Sequence, residues 1–187
     1  MSQKFYLYRV NDVKTRVMRN MTPEYLLNFA NANLAKTYMC NGKEKIDFRD
    51  LSFLNGERIF EFAEVDERLY AQITSGTQLF SREQRAVLDG GYDPYIIDKD
   101  GLMAIIHAYE DKIRDFYTSL LTSSDKVTKK YIQDKLDSCV NISFANIDIK
   151  YPWVLTNSWS FENAVYNLIH ILKTVDWKND VLLFYGW

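Results

Sequence analysis

The chain has 187 residues and a net charge of −2, with 47% hydrophobic and 26% charged residues. That is the profile of one globular domain with enough apolar surface to form a core without disulfides or a structural metal. With only 3 prolines and 7 glycines, collagen, flexible linkers and low-complexity disorder are excluded, and the charge argues against both a strongly basic nucleic-acid binder and an acidic nucleic-acid mimic.

In chain order, Lys4–Val10 alternates as a strand with aromatic residues on both faces. Residues 11–21 read as a polar, basic connection. Thr22-Pro23-Glu24 starts a helix: a hydroxyl cap, proline at the first helical position, then an acid in the first turn. Its stripe of Leu26, Leu27, Ala30, Leu34 and Tyr38 carries it to about residue 38, and Asn41-Gly42 ends it. Residues 44–64 read as a hairpin turning at Asn55-Gly56, the strongest short hairpin signal. Residues 66–75 fit strand or helix equally. Ser81-Arg82-Glu83-Gln84 is a capping box that opens a short helix to Asp89, and Gly90-Gly91 stops it.

The longest helix runs from Asp100-Gly101 to about residue 122, with Asp100 as its cap. Its period predicts that Ile106, Ile113, Phe116 and Leu120 are buried and that Glu110, Asp111 and Arg114 are exposed. A weaker helix follows to about Asp137. Strands are expected at 140–144 and 147–151, a helix at 160–175, and a buried strand at Val181–Tyr185, which is apolar on both faces. The sum is an α+β fold: a mixed sheet of about six strands, about five helices and a C-terminal strand–helix–strand unit. We expect a single domain over 1–187, with its softest boundary near residue 76.

The N-terminus lacks the apolar run of a signal peptide, and no apolar stretch reaches the roughly 20 residues that span a bilayer. The two cysteines, Cys40 and Cys139, form no CxxC pair. A cytoplasmic chain with reduced thiols and no membrane association is the expectation. The composition, rich in Asn, Tyr, Lys and Ile, matches AT-rich coding of the kind found in many bacteriophages and mobile elements and also in many bacteria.

Neither GxGxxG nor a P-loop occurs, so a nucleotide fold of those types is not expected. His107 and His170 both fall on the polar sides of their helices. Asp98-Lys99-Asp100-Gly101 fails as a calcium loop, because Ile96 and His107 stand where carboxylates are needed.

Three groups carry weaker signals. Arg9, Lys14, Arg16 and Arg19, interleaved with Tyr6 and Tyr8, are candidates for nucleic-acid or phosphate contact. Glu57, Glu61, Glu64, Asp66 and Glu67 form an acidic run that suits a basic partner or guards a sheet edge. Of these, Glu61, Glu64, Asp66 and Glu67, together with Trp187, are the candidate partner contacts. Asp148-Ile149-Lys150 is a D-x-K triplet on an expected strand. With Asp137, or Glu110 on the long helix, it makes a candidate Mg²⁺ site in which Lys150 orients the attacking water.

The order helix, strands, D-x-K strand, helix, strand over about 85 residues resembles the restriction-nuclease-type core. That resemblance implies a Mg²⁺-dependent nuclease or phosphodiesterase. The reading placed first is a small non-enzymatic protein without cofactor that binds and modulates or inhibits another macromolecule, most often a protein. Inhibitors from phages and immunity proteins are of this kind. It rests on the missing catalytic motifs and on an aromatic content of 15%.

Overall fold

The computed structural model describes residues 4–49, 51–62, 65–89, 93–121, 128–131, 133–134 and 161–186. They fold as two compact units, Met1–Gly101 with Thr174–Trp187, and Leu102–Lys173. The expected soft boundary near residue 76 lies inside the first. The class is α+β, with the strands divided over two sheets.

The first unit is built on a five-stranded antiparallel sheet. Its order is β4 (Glu57–Phe62), β1 (Phe5–Asn11), β8 (Asp180–Gly186), β7 (Tyr95–Ile97) and β5 (Thr77–Gln78). The C-terminal strand is therefore central. It has β1 on one edge and β7 on the other, both antiparallel, and it is buried over Val181–Gly186. The expected strands at 140–144 and 147–151, and with them the first strand of the strand–helix–strand unit, lie outside the described residues.

Because β1 and β8 are apolar on both faces, each face carries its own packing. Tyr6, Tyr8, Val10, Val181, Leu183 and Tyr185 point into the main core. That core also takes Met18 of α1 (Asp12–Arg19), and Leu26 and Ala30 of α2 (Pro23–Ala32). On the opposite face Phe5 stacks on Phe184 at 5.0 Å, and Phe184 meets Phe62 edge-on at 5.4 Å. Tyr70, from α3 (Glu67–Thr74), closes over both.

Residues 12–19, expected as a connection, are helix. Asn11 caps it by accepting from the Lys14 N–H at 3.0 Å, Asp12 opens the first turn, and Arg16 and Arg19 sit in the last. Its buried face is only Thr15 and Met18, too narrow a stripe to show as a period in the sequence. α2 starts at Thr22-Pro23 as expected but ends at Ala32. The continuation is β2 (Thr37–Cys40), which forms a hairpin with β3 (Lys43–Asp47). The turn is Asn41-Gly42, where φ is 52° and 73°, the positive pair that a two-residue hairpin loop requires.

Asn55-Gly56 is the turn that was expected to make a hairpin, and it does not. β3 belongs to the three-stranded sheet β2–β3–β6, with β6 (Leu88–Asp89) running parallel to it, and β4 belongs to the larger sheet. Leu51–Leu54 between them is a 3-10 turn that buries Phe53 and Leu54. Four consecutive residues dominated by apolar side chains suit a plug better than an alternating strand. Residues 67–74, left open between strand and helix, form α3.

In the second unit, Leu102, Ile105, Ile106, Tyr109 and Ile113 of α4 (Lys99–Leu121) are buried, as the period predicts. Other assignments on this helix are corrected. Glu110 is 5% exposed, because it lies between Ile106 and Ile113 on the same side, and Phe116 is 51% exposed; Asp111 and Arg114 are half-buried, and the side chain of Leu120 lies outside those described. Asp98 rather than Asp100 caps the start, its Oδ1 accepting from Gly101 N–H at 2.8 Å. Along α5 (Phe161–Thr174), Val165, Leu168, Ile169, Ile171 and Leu172 are buried. Both histidines are exposed.

Candidate functional site

The four basic candidates are not gathered on one face. Arg9 pairs with Glu57 across β1 and β4, and Arg16 pairs with Asp12 one turn away. The Lys14 ammonium turns inward to donate to Asn33 Oδ1 at 3.1 Å, Asn55 Oδ1 at 3.2 Å and the Phe53 carbonyl at 3.4 Å. Arg19 is exposed at the end of α1.

The acidic candidates are dispersed as well. Glu61 pairs with Lys4 at 3.2 Å. Asp66 is the cap of α3, accepting from Leu69 N–H at 2.8 Å, and Glu67 occupies the first turn of that helix, where the dipole favours an anion. Glu64, Trp187, Asp137, Asp148 and Lys150 lie outside the described residues. Among the described residues no three His, Cys, Asp or Glu side chains gather where a metal ion would be held, and no helix is long and apolar enough to cross a membrane.

Two polar groupings were not visible in the sequence. In the first unit Asp47 takes a bidentate grip from Arg49, Nε to Oδ1 at 2.7 Å and Nη2 to Oδ2 at 2.8 Å. These bonds hold the Asp47 carboxyl below the usual range. Parallel pairing of β3 and β6 sets Asp89 beside Asp47. Burial, reinforced by the Asp47 carboxylate, pushes the Tyr185 phenol far up, so it stays neutral at physiological pH and acts as no base there. In the second unit Glu110 Oε2 meets His107 Nδ1 at 3.1 Å, while Oε1 is buried without a hydrogen bond. Burial raises the Glu110 carboxyl above its usual range.

The most distinctive feature of the first unit is where its apolar side chains escape burial. Val13, Val17, Tyr25, Leu34 and Met39 are its exposed large hydrophobic residues among those described, and all five fall between positions 13 and 39. Val13 and Val17 stand one turn apart on α1, beside the exposed Arg16. The Lys14–Asn33 bond ties the start of α1 to the end of α2. Val13 and Leu34 are the chain neighbours of the two residues in that bond, and Val17 and Tyr25 lie on either side of the connection between the helices.

Leu34 is the most unusual of the five, at 87% exposed. It follows the cap of α2 with φ at 63°. The Ala35 N–H bonds back to the Ala30 carbonyl at 2.9 Å and the Leu34 N–H to Asn31 at 3.1 Å, a Schellman ending. That left-handed position favours glycine, and a leucine there costs about 1 kcal/mol. Neither the backbone nor the core asks for this side chain. In the sequence it passes as one more residue of a helical stripe.

The chain matches no protein-family model, no curated protein and no solved structure.

Proposed function

We propose that the chain is a protein-interaction module that binds another protein through the surface of α1, α2 and β2 and thereby modulates or inhibits it. The observation that carries this reading is the concentration of exposed apolar side chains between Val13 and Met39. Soluble proteins expose single apolar residues freely, but clusters rimmed by charge mark contact surfaces. The rim carries the exposed Arg19 at the end of α1, while Lys14 and Arg16 are engaged with Asn33 and Asp12. Its chemical complement is a protein surface that is apolar at its centre and acidic at its edge. Leu34, held at a backbone cost, is the anchor that such a surface would bury. The acidic stretch 57–67 is a poorer choice, because none of the exposed large apolar side chains described lies in it and Glu57, Glu61 and Asp66 are engaged within the chain. We place this activity in the cytoplasm, where Cys40, which forms no disulfide, stays reduced.

Affinity capture from a bacterial lysate tests the reading with three baits: wild type, Leu34→Asp and Glu61→Lys. A protein held in stoichiometric amount by wild type and Glu61→Lys, and lost by Leu34→Asp, is the expected result. Equal recovery on all three baits, or loss only with Glu61→Lys, would move the contact surface away from residues 13–39.

A further inference from the structure

β2 (Thr37–Cys40) is an outer strand of the three-stranded sheet. Its register with β3 fixes which backbone groups look outward. The two-residue loop Asn41-Gly42 makes Cys40–Lys43 the closing hydrogen-bonded pair, and Tyr38–Lys45 is the next such pair. The series continues at Lys36, whose carbonyl accepts the Asp47 N–H at 2.8 Å. By alternation the N–H and C=O groups of Thr37 and Met39 point away from β3, to the side of β2 on which no strand pairs among the described residues.

Proteins blunt such edges with charge, proline, bulges or short length. The other sheet ends follow that rule. β4 carries Glu57, Arg58 and Glu61 and has a register shift that displaces Ile59, while β5 and β6 are two residues each. β2 reads Thr-Tyr-Met-Cys: no charge, no proline and an unbroken register. Met39 on it is 67% exposed, and Leu34 stands three residues before Thr37, its first residue.

The face that β2 shares with Tyr38 and Cys40 is basic. Lys43 and Lys45 are their partners on β3 and Lys36 precedes them; the carboxylates in the row are Asp47, gripped by Arg49, and Asp89 beside it on β6. We infer that β2 accepts an extended acidic segment of another protein as an added antiparallel strand. Thr37 and Met39 exchange backbone hydrogen bonds with it. Carboxylates at alternate positions fall on the face of Lys36, where Lys43 and Lys45 attract them across β2 from two strand spacings away, and the residues between them lie against Met39. The inference rests on the reading of the chain as a binding module and names the chemistry of its partner.

The probe is an acetylated peptide of alternating aspartate and valine, about eight residues long, titrated into the isotope-labelled full chain. A lysine–valine peptide of the same length is the control. The expected result is that the Thr37 and Met39 amides shift and exchange more slowly with the acidic peptide, that binding weakens with salt, and that the basic peptide does not bind. Met39→Pro deletes an outward N–H without touching the β2–β3 ladder and weakens binding about fivefold. Lys43→Glu, at the exposed turn, tests the charge term without altering the backbone and weakens binding about threefold.

Shifts that spare Thr37 and Met39, equal binding of the basic peptide, or no binding would overturn strand addition. If strand addition fails while Leu34→Asp still abolishes capture, the module stands and only the mode of contact falls. If both fail, the reading beneath them falls too.

Discussion

Gln84 donates its side-chain amide to the main-chain carbonyl of Met18 at 2.9 Å, across 66 positions of sequence. The same nitrogen reaches the Met21 carbonyl at 2.7 Å, and the amide oxygen accepts the Ser81 N–H at 3.0 Å. One buried side chain thus closes its own capping box and fixes the junction of α1 and α2. Gln84→Ala is expected to cost about 1–3 kcal/mol, since it strips partners from buried polar groups. Gln84→Glu should cost more at neutral pH, because it sets a carboxylate against two carbonyl oxygens. Denaturant titration checks both; unchanged midpoints would show that the junction does not depend on this residue.

Asp47 and Glu110 should give stability opposite dependences on pH. Hydrogen bonds from Arg49 lower the Asp47 pKa, so its stabilisation is present above the usual aspartate value of about 4 and is lost as pH falls through the lowered folded value. Asp47→Asn is therefore destabilising by about 1 kcal/mol at neutral pH, given that Arg49 is half-exposed, and the difference closes in acid. Burial raises the Glu110 pKa, so its contribution is greatest below the usual glutamate value of about 4.3 and is lost as pH rises through the raised folded value. Glu110→Gln should raise the melting temperature at neutral pH and leave it unchanged near pH 4. Melts of both variants across that range decide it; parallel curves would contradict the assignment.

The elements with strong local signatures were legible in the sequence: β1, the Thr22-Pro23 start of α2, the Ser81–Gln84 box, α4 and β8. What was not legible followed from competition between local and tertiary demands. Two Asn-Gly pairs occur, and only the one at 41–42 takes positive φ at both residues; at Asn55 the following glycine does not. α1 was hidden because the core asks only Thr15 and Met18 of it. Leu34 was hidden because its spacing suits a helix that has already ended, and its exposure follows from the Schellman turn. The Asp47–Arg49–Tyr185 grouping joins two sheets, so no sequence window holds it.

Deleting residues 181–187 removes the strand between β1 and β7 and should abolish cooperative folding. A near-native melt in that truncation would refute the central place of β8. Gly186 is a finer probe: a Cβ there would run into the Phe5 ring and stand 2.7 Å from the Lys4 carbonyl. Gly186→Ala is expected to destabilise by about 1–3 kcal/mol through overpacking at the β1–β8 pair.

Leu34→Gly separates strain from function. Glycine at that left-handed position removes a cost of about 1 kcal/mol, so the variant should melt at or above the wild-type temperature. The same change should weaken capture of the partner. A drop in stability would show that Leu34 serves the fold and not a contact.

The most direct measurement places the photo-crosslinker benzoylphenylalanine in turn at Leu34, Met39 and Glu61 of the full chain and illuminates it in a bacterial lysate. The account predicts one discrete adduct of the same partner from positions 34 and 39 and none from position 61. An adduct from position 61 alone, or none at 34 and 39 while the chain stays folded, would contradict the claim that residues 13–39 form the binding surface.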